Sequence, residues 1–339
     1  MIAVYHPPVR MRALQVGALA PDLGGVSLVE RAVPTPGSGE VLVRVRAVAI
    51  GFPDLLMTHG GYQTKPPLPF VGGMDVAGEV AMIGEGVDHV AVGDAVIALA
   101  KGGGFADYAL FPAASVHRKP APLSFPEAAA LGTAYLTAYV ALVRCARIEA
   151  GEWLLVHGAA GGVGLAAVDL GMALGARVIA AASSAAKREA IAQLHAPEHV
   201  IDPAPGFREE VKALTGGAGA DVVFDPVGGE VFTESTRCVA FGGRLLVIGF
   251  TGGEPATVAT NIALIKGFSV IGVRAGEYGR RFPERGRENL ASILALAETG
   301  AIRPHVHATL PLAAWRDGFE MVRSRAVVGR VVLEPEHAE

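Results

Sequence analysis

The run Trp153-Leu154-Leu155-Val156-His157-Gly158-Ala159-Ala160-Gly161-Gly162-Val163-Gly164 constrains this chain more than any other stretch of it. Its first four residues read as a buried strand, and beyond the glycines Val163, Ala166, Ala167 and Leu170 recur at helical spacing. From Gly158 to Gly162 every side chain is small or absent, so a ligand can approach the backbone closely. The N–H groups at the helix start, and the positive end of its dipole, suit a pyrophosphate. The spacing Ala159-x-Gly161-x-x-Gly164 is a relative of G-x-G-x-x-G with alanine in first place, in the strand–helix setting which that motif requires. Taken alone, the same run fits an ordinary strand–helix turn; the residues downstream of it favour a dinucleotide.

The chain from Ser124 onward is a series of βα units. Ser124 is a candidate N-cap with Pro126 and Glu127 in the first helical turn. Strands are expected at 153–156, 177–181, 198–201, 221–225, 243–248 and 268–273, with helices between them, which is an α/β doubly wound parallel sheet of about six strands. Before this region the pattern is antiparallel. Met11–Val16, Leu28–Ala32, Val41–Ile50, Asp75–Ile83, Ala95–Leu99 and Phe105–Phe111 read as short strands separated by glycine and proline turns. Gly51–Tyr62 reads as a loop entering a short helix, and Lys65–Phe70 as a rigid extended segment. Met1–Arg10 reads as a ragged extension, with Met11 a candidate start. After the parallel pattern come a helix at Arg287–Glu298, a strand at His305–Ala308, a helix near Leu312–Val322 and a last strand at Val327–Leu333. The expected division is therefore 1–125 plus 274–339 as one β-rich domain and 126–273 as an inserted dinucleotide domain, with a ligand cleft between them.

Composition narrows the class. A chain of 339 residues has room for two domains, and a net charge of −4 advertises no basic face for nucleic acid. Cys145 and Cys238 form no C-x-x-C pair, so neither a disulfide framework nor a cysteine zinc site is implied. The mean hydropathy of +0.40 is high, but the glycine turn interrupts the apolar stretch Leu154–Ala186 and argues against a membrane span. No basic-then-apolar leader is visible, and a cytoplasmic location is expected.

The second strand of the dinucleotide unit names the cofactor. An NAD site carries Asp or Glu at its end for the ribose 2′-OH. Here Ala182 is followed by Ser183, Ser184, Ala185, Ala186, Lys187 and Arg188. Two hydroxyls and two cations suit a 2′-phosphate, so NADP(H) is favoured over NAD(H), although the same serines can cap a helix and the cations can be a solvated face. Ala160, Gly161, Gly162, Val163 and Gly164 then form the pyrophosphate cradle. Asp225–Gly229 and Gly249–Phe250 follow two further strands at the carboxyl edge, where backbone should face the adenosine and nicotinamide ends.

With these residues in view, the chain resembles the medium-chain dehydrogenase/reductase superfamily, and within it the zinc-independent quinone oxidoreductase branch. The resemblance runs from about Met11 to Leu333 and is carried by Phe52-Pro53-Asp54-Leu55-Leu56, Pro66-Pro67-Leu68-Pro69-Phe70, Thr137-Ala138-Tyr139, Ala159–Gly164, Asp225-Pro226-Val227-Gly228-Gly229 and Gly242-Gly243-Arg244. It implies a Rossmann domain inserted in a GroES-like β-rich catalytic domain, often as a homodimer. By the same resemblance Thr137 matches a position near the nicotinamide ribose and phosphates, Ser183 and Lys187 match the 2′-phosphate region, and Asn261 and Arg325 match cofactor contacts. Asp54 and Tyr62 match residues lining the substrate cleft.

The departures are informative. The branch often has Asn where this chain has Gly51, and Tyr after the third strand where this chain runs Val200-Ile201-Asp202-Pro203, so that an acid stands near the proposed 2′-phosphate. Zinc-dependent relatives have Cys in the Gly51 region and Gly-His-Glu where this chain has Gly72-Gly73-Met74-Asp75. The four-cysteine lobe is replaced by Lys101-Gly102-Gly103-Gly104 running into Phe105. No zinc is expected. His305 and His307 alternate onto one strand face, but a metal site would need more ligands.

Without a metal, hydride transfer suits an acceptor with its own low-energy orbital, and the protein need only hold it near the nicotinamide and exclude water. Tyr62 can donate to a developing oxyanion, or simply pack in the cleft wall; no general acid is evident, leaving water to supply the proton. The expected function is NADPH-dependent hydride transfer to a quinone without zinc. The alternative is an NADPH-dependent reductase of α,β-unsaturated ketones, aldehydes or enoyl thioesters, for which Lys65, Lys101 and Arg280–Arg281 are candidate contacts to an acyl-CoA. A third reading is a non-catalytic nucleotide-binding protein. The expected partners are a small quinone or enone and a second copy of the chain, with neither nucleic acid nor membrane.

Overall fold

A computed structural model describes residues 7–336, so the first six residues of the extension read at Met1–Arg10 lie outside the described residues. The chain divides into two compact units, Met1–Thr133 with Arg303–Glu339, and Ala134–Ile302.

The first unit contains β1 (Arg10–Val16), β2 (Val26–Ala32), β3 (Glu40–Ile50), α1 (Phe52–Thr58), β4 (Phe70–Val71), β5 (Asp75–Ile83), β6 (Ala95–Leu99), β7 (Tyr108–Pro112) and β8 (Val116–Arg118). Helix α2 (Phe125–Tyr139) begins in it and runs across its boundary. The second unit supplies β9 (Trp153–Val156), α3 (Gly162–Ala173), β10 (Arg177–Ala181), α4 (Ala185–His195), β11 (His199–Ile201), α5 (Phe207–Leu214), β12 (Ala220–Asp225), α6 (Gly229–Ser235), β13 (Val239–Val247), α7 (Thr260–Lys266), β14 (Ser269–Gly272), α8 (Ala275–Arg281) and α9 (Pro283–Glu298). The chain then returns to the first unit with β15 (Val306–Pro311), α10 (Trp315–Arg323) and β16 (Arg330–Glu334).

Strand β3 is the hub of the first unit. It takes β5 along one edge and shares the other between β7, at Glu40–Arg44, and β16, at Val48–Ile50. The full order is β15-β16-β3-β5-β6-β8, and β2-β1-β4 form a second small sheet. In β3 the apolar Val41, Val43 and Val45 alternate with Arg44, half-buried, and Arg46, exposed, but Leu42, Ala47 and Ala49 are also fully buried. Both faces of the hub strand are covered by apolar packing: Val41, Val43 and Val45 belong to one buried cluster and Leu42 to another. Phe105, Trp315 and Phe319 fill the core beside it, with ring centroids 5.6 Å apart for Phe105–Phe319 and 6.1 Å for Trp315–Phe319.

The second unit is a six-stranded parallel sheet in the order β11-β10-β9-β12-β13-β14. Counted from β9 this is 3-2-1-4-5-6, the doubly wound order whose switch point lies between the first and fourth strands. Leu154, Leu155, Val156, Val222, Val223 and Phe224 are all fully buried, which is how a parallel strand covered on both faces reads in sequence.

Two expectations need correction. The boundary between the units falls at Thr133 rather than 125, inside α2, where Gly132 (φ −36°, ψ −105°) kinks the helix. Residues 274–302 belong to the second unit, not the first. They carry an unanticipated helix, α8, and α9 turns Asn289, Ile293 and Ala297 inward at four-residue spacing, with Asn289 Oδ1 accepting from Arg144 Nε at 2.7 Å. The parallel-strand pattern ends at β14, but the packing of the unit does not. The helical run Phe125–Ala146 is long and apolar enough to cross a membrane by length and composition, yet 61% of its most apolar window is buried inside the protein.

Candidate cofactor and substrate sites

In the second unit the carboxyl edge of the sheet gathers most of the sequence-predicted cofactor residues. The turn after β9 is held by three backbone bonds: His157 N–H to Phe224 O, Ala159 N–H to Ala181 O, and Gly161 N–H to Gly158 O. Gly158 has φ +56°, a left-handed conformation that glycine adopts without strain. Gly164 is required for a different reason. A Cβ there would lie 2.2 Å from Gly158 O, so only glycine lets α3 pack onto the turn. Gly162, Val163 and Gly164 form the first turn of α3, where N–H groups have no acceptor within the helix. This turn follows β9 and the Asp225–Gly229 turn follows β12, so the two flank the switch point.

The Asp225 turn is built on its own carboxylate. Oδ1 accepts from Val227 N–H at 2.7 Å and Gly228 N–H at 3.0 Å, while Oδ2 is buried with no hydrogen-bond partner among the described residues, and burial raises the carboxyl pKa. Gly249 is half-buried and Phe250 is 47% exposed in the loop after β13; Gly228 approaches that loop so closely that a Cβ would lie 3.2 Å from Phe250 Cδ1. Asn261 is exposed in the first turn of α7, which leaves from the same edge. Thr137 is half-buried on α2.

The end of β10 shows which of the paired readings for its polar residues applies. Ser184 caps α4, its Oγ accepting from Lys187 N–H at 3.3 Å, which leaves its hydroxyl hydrogen to donate. Ser183 is exposed and Lys187 half-buried beside it. Arg188 is engaged elsewhere: Nη1 donates to Asp202 Oδ2 at 2.7 Å and to Ala182 O at 2.8 Å. Asp202, the acid that weighed against a phosphate, is thus paired with Arg188 and also accepts from Ala204 N–H at 3.0 Å. Ser183, Ser184 and Lys187 stand together at this corner and carry hydroxyl and ammonium donors of the kind that suits a phosphate.

His157 stands next to the glycine turn but is a core residue. It is fully buried, with its ring edge-on to Phe207 at 5.1 Å. Ser235 Oγ donates to Val231 O, so it must accept from His157 Nε2–H at 2.8 Å; the proton is on Nε2. Burial pushes the imidazole pKa down to about 3.

In the first unit the sequence-predicted Asp54 occupies a buried polar cluster. Asp54 is the N3 residue of α1, whose N-cap Gly51 follows β3 directly with no intervening loop. Its Oδ2 accepts from Gly51 N–H at 2.8 Å and its Oδ1 from Gly73 N–H at 3.0 Å. Burial, reinforced by the charge of Asp75, pushes its carboxyl pKa up to about 7 against the pull of the two N–H bonds and of Arg330. Asp75 accepts from Thr133 N–H (2.8 Å), Thr133 Oγ1 (2.5 Å) and Arg330 Nη2 (2.7 Å). Tyr62 is half-buried in the loop after α1, and Arg325, with φ +56°, ends α10 in the left-handed conformation typical of a helix terminus. Asp75, Thr133 and Arg330 were missed by sequence reasoning. The available signal was charge at the head of an apolar strand, Asp75 before Val76-Ala77 and Arg330 before Val331-Val332-Leu333.

Comparison with known proteins agrees with this architecture. The family model described as "Alcohol dehydrogenase GroES-like domain" matches residues 37–121, and that described as "Zinc-binding dehydrogenase" matches residues 162–292. A "Quinone oxidoreductase-like protein 2 homolog" from Nematostella vectensis is 35% identical over 92% of this chain and 87% of its own length. The "Quinone oxidoreductase-like protein 2" of Mus musculus is 36% identical over 93% and 91%. The chain belongs to the medium-chain dehydrogenase/reductase superfamily, in its quinone oxidoreductase branch. Its architecture, a GroES-like domain with an inserted Rossmann domain, and its class, oxidoreductase, accord with that membership. Among solved structures, a probable oxidoreductase from Mycobacterium abscessus superposes with TM-score 0.88 at 35% identity, covering 97% of this chain and 100% of the other. A mycobacterial protein complexed with NADPH superposes with TM-score 0.85 at 30% identity (96% and 100% covered), and the CurK enoyl reductase with 0.86 at 26% (96% and 99%).

The zinc in the name of one family model has no ligand set at the positions where zinc-dependent members of the superfamily carry it. Glycine stands at 51, 72 and 73 and methionine at 74, and Asp75 is committed to Arg330 and Thr133. Among the described residues no group of three or more His, Cys, Asp or Glu is placed to hold a metal.

Proposed function

We propose that this oxidoreductase uses NADPH to transfer a hydride to a quinone without zinc. The observation that carries the cofactor choice is the corner after β10, where Asp202 is paired with Arg188 and Ser183, Ser184 and Lys187 offer hydroxyl and ammonium donors to a 2′-phosphate. The NADPH complex of the mycobacterial relative supports the same reading. Bound here, NADPH supplies a hydride from its nicotinamide ring. The protein's contribution is placement. The N–H groups of Gly162, Val163 and Gly164 would hold the pyrophosphate, the turns after β12 and β13 would face the rest of the cofactor, and Thr137 and Asn261 would complete the set within this unit. An acceptor that needs no metal to polarise it, such as a quinone, suits a site of this kind, and Tyr62 donates to the oxygen on which negative charge develops.

A second reading keeps the cofactor and replaces the quinone by an α,β-unsaturated carbonyl compound; the likeness to an enoyl reductase favours it. One experiment separates them. NADPH and NADH oxidation are monitored side by side with quinones, enones and an enoyl-CoA as acceptors. Quinone turnover with a strong NADPH preference is the expected result. Turnover confined to enones or enoyl-CoA selects the second reading, and preference for NADH overturns the role given to Ser183 and Lys187.

A further inference from the structure

Three ionisable side chains of the first unit are more than nine-tenths buried at one place, Asp54, Asp75 and Arg330. Around them is apolar core, including Ile50, Leu55, Val76, Val331 and Leu333. Asp75 and Arg330 answer each other. Asp54 has no such partner: among the described residues its oxygens accept only the N–H groups of Gly51 and Gly73. Burial of a carboxyl group without a bonded cation is costly, and groups held this way concentrate at functional sites.

The two amides lie where the central strand pair ends. Gly51 follows β3, Gly73 precedes β5, and Ala49 faces Asp75 in the register of that pair. Neither backbone segment has slack. Gly73 sits at φ +89° with its Cβ position 2.5 Å from Phe105 N, and the Cβ position of Gly51 is 3.0 Å from Asp54 Oδ2 and 3.7 Å from Arg330 Nη2. A carboxyl group is thus the strut between two chain segments that leave the sheet side by side.

We propose that Asp54 is a positioning residue for the reduction: it braces the Gly51 and Gly73 backbone, and the acceptor sits against that braced backbone. The inference rests on the reductase reading above. Asp54 is 3% exposed and exchanges no proton with the acceptor. The hydride comes from NADPH and the proton from water. The charged groups acting on Asp54 are Asp75 from β5 and Arg330 from β16, while α10, packed against α1, contributes buried Trp315 and Phe319. A carboxylate binds N–H groups more strongly than the acid does, so the brace tightens as pH rises through about 7.

The test is kcat/KM for a quinone against pH, in the full-length protein and in Asp54→Asn, together with amide hydrogen exchange at Gly51 and Gly73. The unaltered protein is expected to show kcat/KM rising through neutral pH to a plateau. Asp54→Asn is expected to lose that rise and up to ~100-fold in kcat/KM, the scale of a small misplacement of reacting groups. Its affinity for NADPH should not change, and its Gly51 and Gly73 amides should exchange ~10-fold faster or more, as loss of a charge-assisted bond predicts. If Asp54→Asn does not fold, the unaltered protein still decides: a flat profile through neutral pH, or rapid exchange at Gly51 and Gly73, overturns the proposal. Turnover indifferent to Asp54→Asn overturns it as well. Bound NADPH without turnover of any quinone or enone overturns the reductase reading instead.

Discussion

Lys187 and Asp54 show how a residue's meaning changes once its neighbours are known. In sequence, Lys187 and Arg188 are interchangeable cations; in the structure Arg188 is tied to Asp202 and Ala182 O, and Lys187 stands beside the serines. Lys187→Ala should therefore raise KM for NADPH ~10- to 100-fold, the worth of one or two charge-assisted bonds, and leave NADH almost unaffected. Arg188→Ala should weaken NADPH as well, because it releases Asp202 to repel the phosphate. Steady-state kinetics with both cofactors checks the pair. Asp54 makes a prediction about stability with the opposite sign from a surface carboxylate. Its folded-state pKa, about 7, lies above the ordinary 3.8, so the folded protein holds the proton more tightly than the unfolded chain. Its contribution to stability is complete below about pH 4 and is lost as pH rises to about 7, a decline on the order of 4 kcal/mol. Denaturant unfolding at several pH values should show this decline in the unaltered protein and not in Asp54→Asn; an unchanged slope in the variant would assign the decline to other groups. The same ionisation that braces the backbone thus costs the fold stability, a compromise common at working sites.

At the scale of elements, the glycine turn makes the firmest forecast. Gly164→Ala puts a methyl 2.2 Å from Gly158 O, so α3 must move off the turn. Cofactor affinity should fall ~100-fold and the protein lose a few kcal/mol of stability, as overpacking against backbone entails. Calorimetric titration with NADPH and a melting curve measure both. Such elements were legible because local chemistry defines them. Strands β5 and β6 run as read, Asp75–Ile83 and Ala95–Leu99, between turn residues. Ser124 and Glu127 form the expected cap, with Ser124 N–H and Oγ donating to Glu127 Oε2 at 2.8 and 2.7 Å. Two-residue β4 and three-residue β8 were not legible, since a pattern of period two needs more residues to appear. The Asp75–Arg330 pair was not legible either. Its partners are 255 residues apart, and no local pattern announces which acid meets which base.

At the scale of the whole molecule, the open question is assembly. Strand β14 ends the parallel sheet, and Ser269-Val270-Ile271-Gly272 carries neither charge nor proline to guard that edge. Around it Phe241, Leu264 and Ile265 are 87%, 82% and 76% exposed, and Phe241 packs over Gly267, so that the apolar residues are continuous with the strand. The expected arrangement is a homodimer in which β14 pairs antiparallel with its copy, because a twofold contact satisfies the free backbone groups of both edges at once. Sedimentation should give a dimer for the unaltered protein and a monomer for Val270→Pro with Leu264→Glu; a monomer at all concentrations for the unaltered protein would sink the idea.

The insertion itself has a consequence for how the protein is made. Strand β3 is synthesised early, yet half of one of its edges is completed by β16, after the whole second unit has been threaded between them. On a ribosome, where domains generally fold as units, residues 134–302 can finish folding while β3 still waits for its last neighbour. The nascent chain therefore carries a completed parallel-sheet unit and an apolar strand still open along half of one edge at the same time. For as long as translation of the last segment takes, that open stretch of edge is a place where a wrong strand can pair.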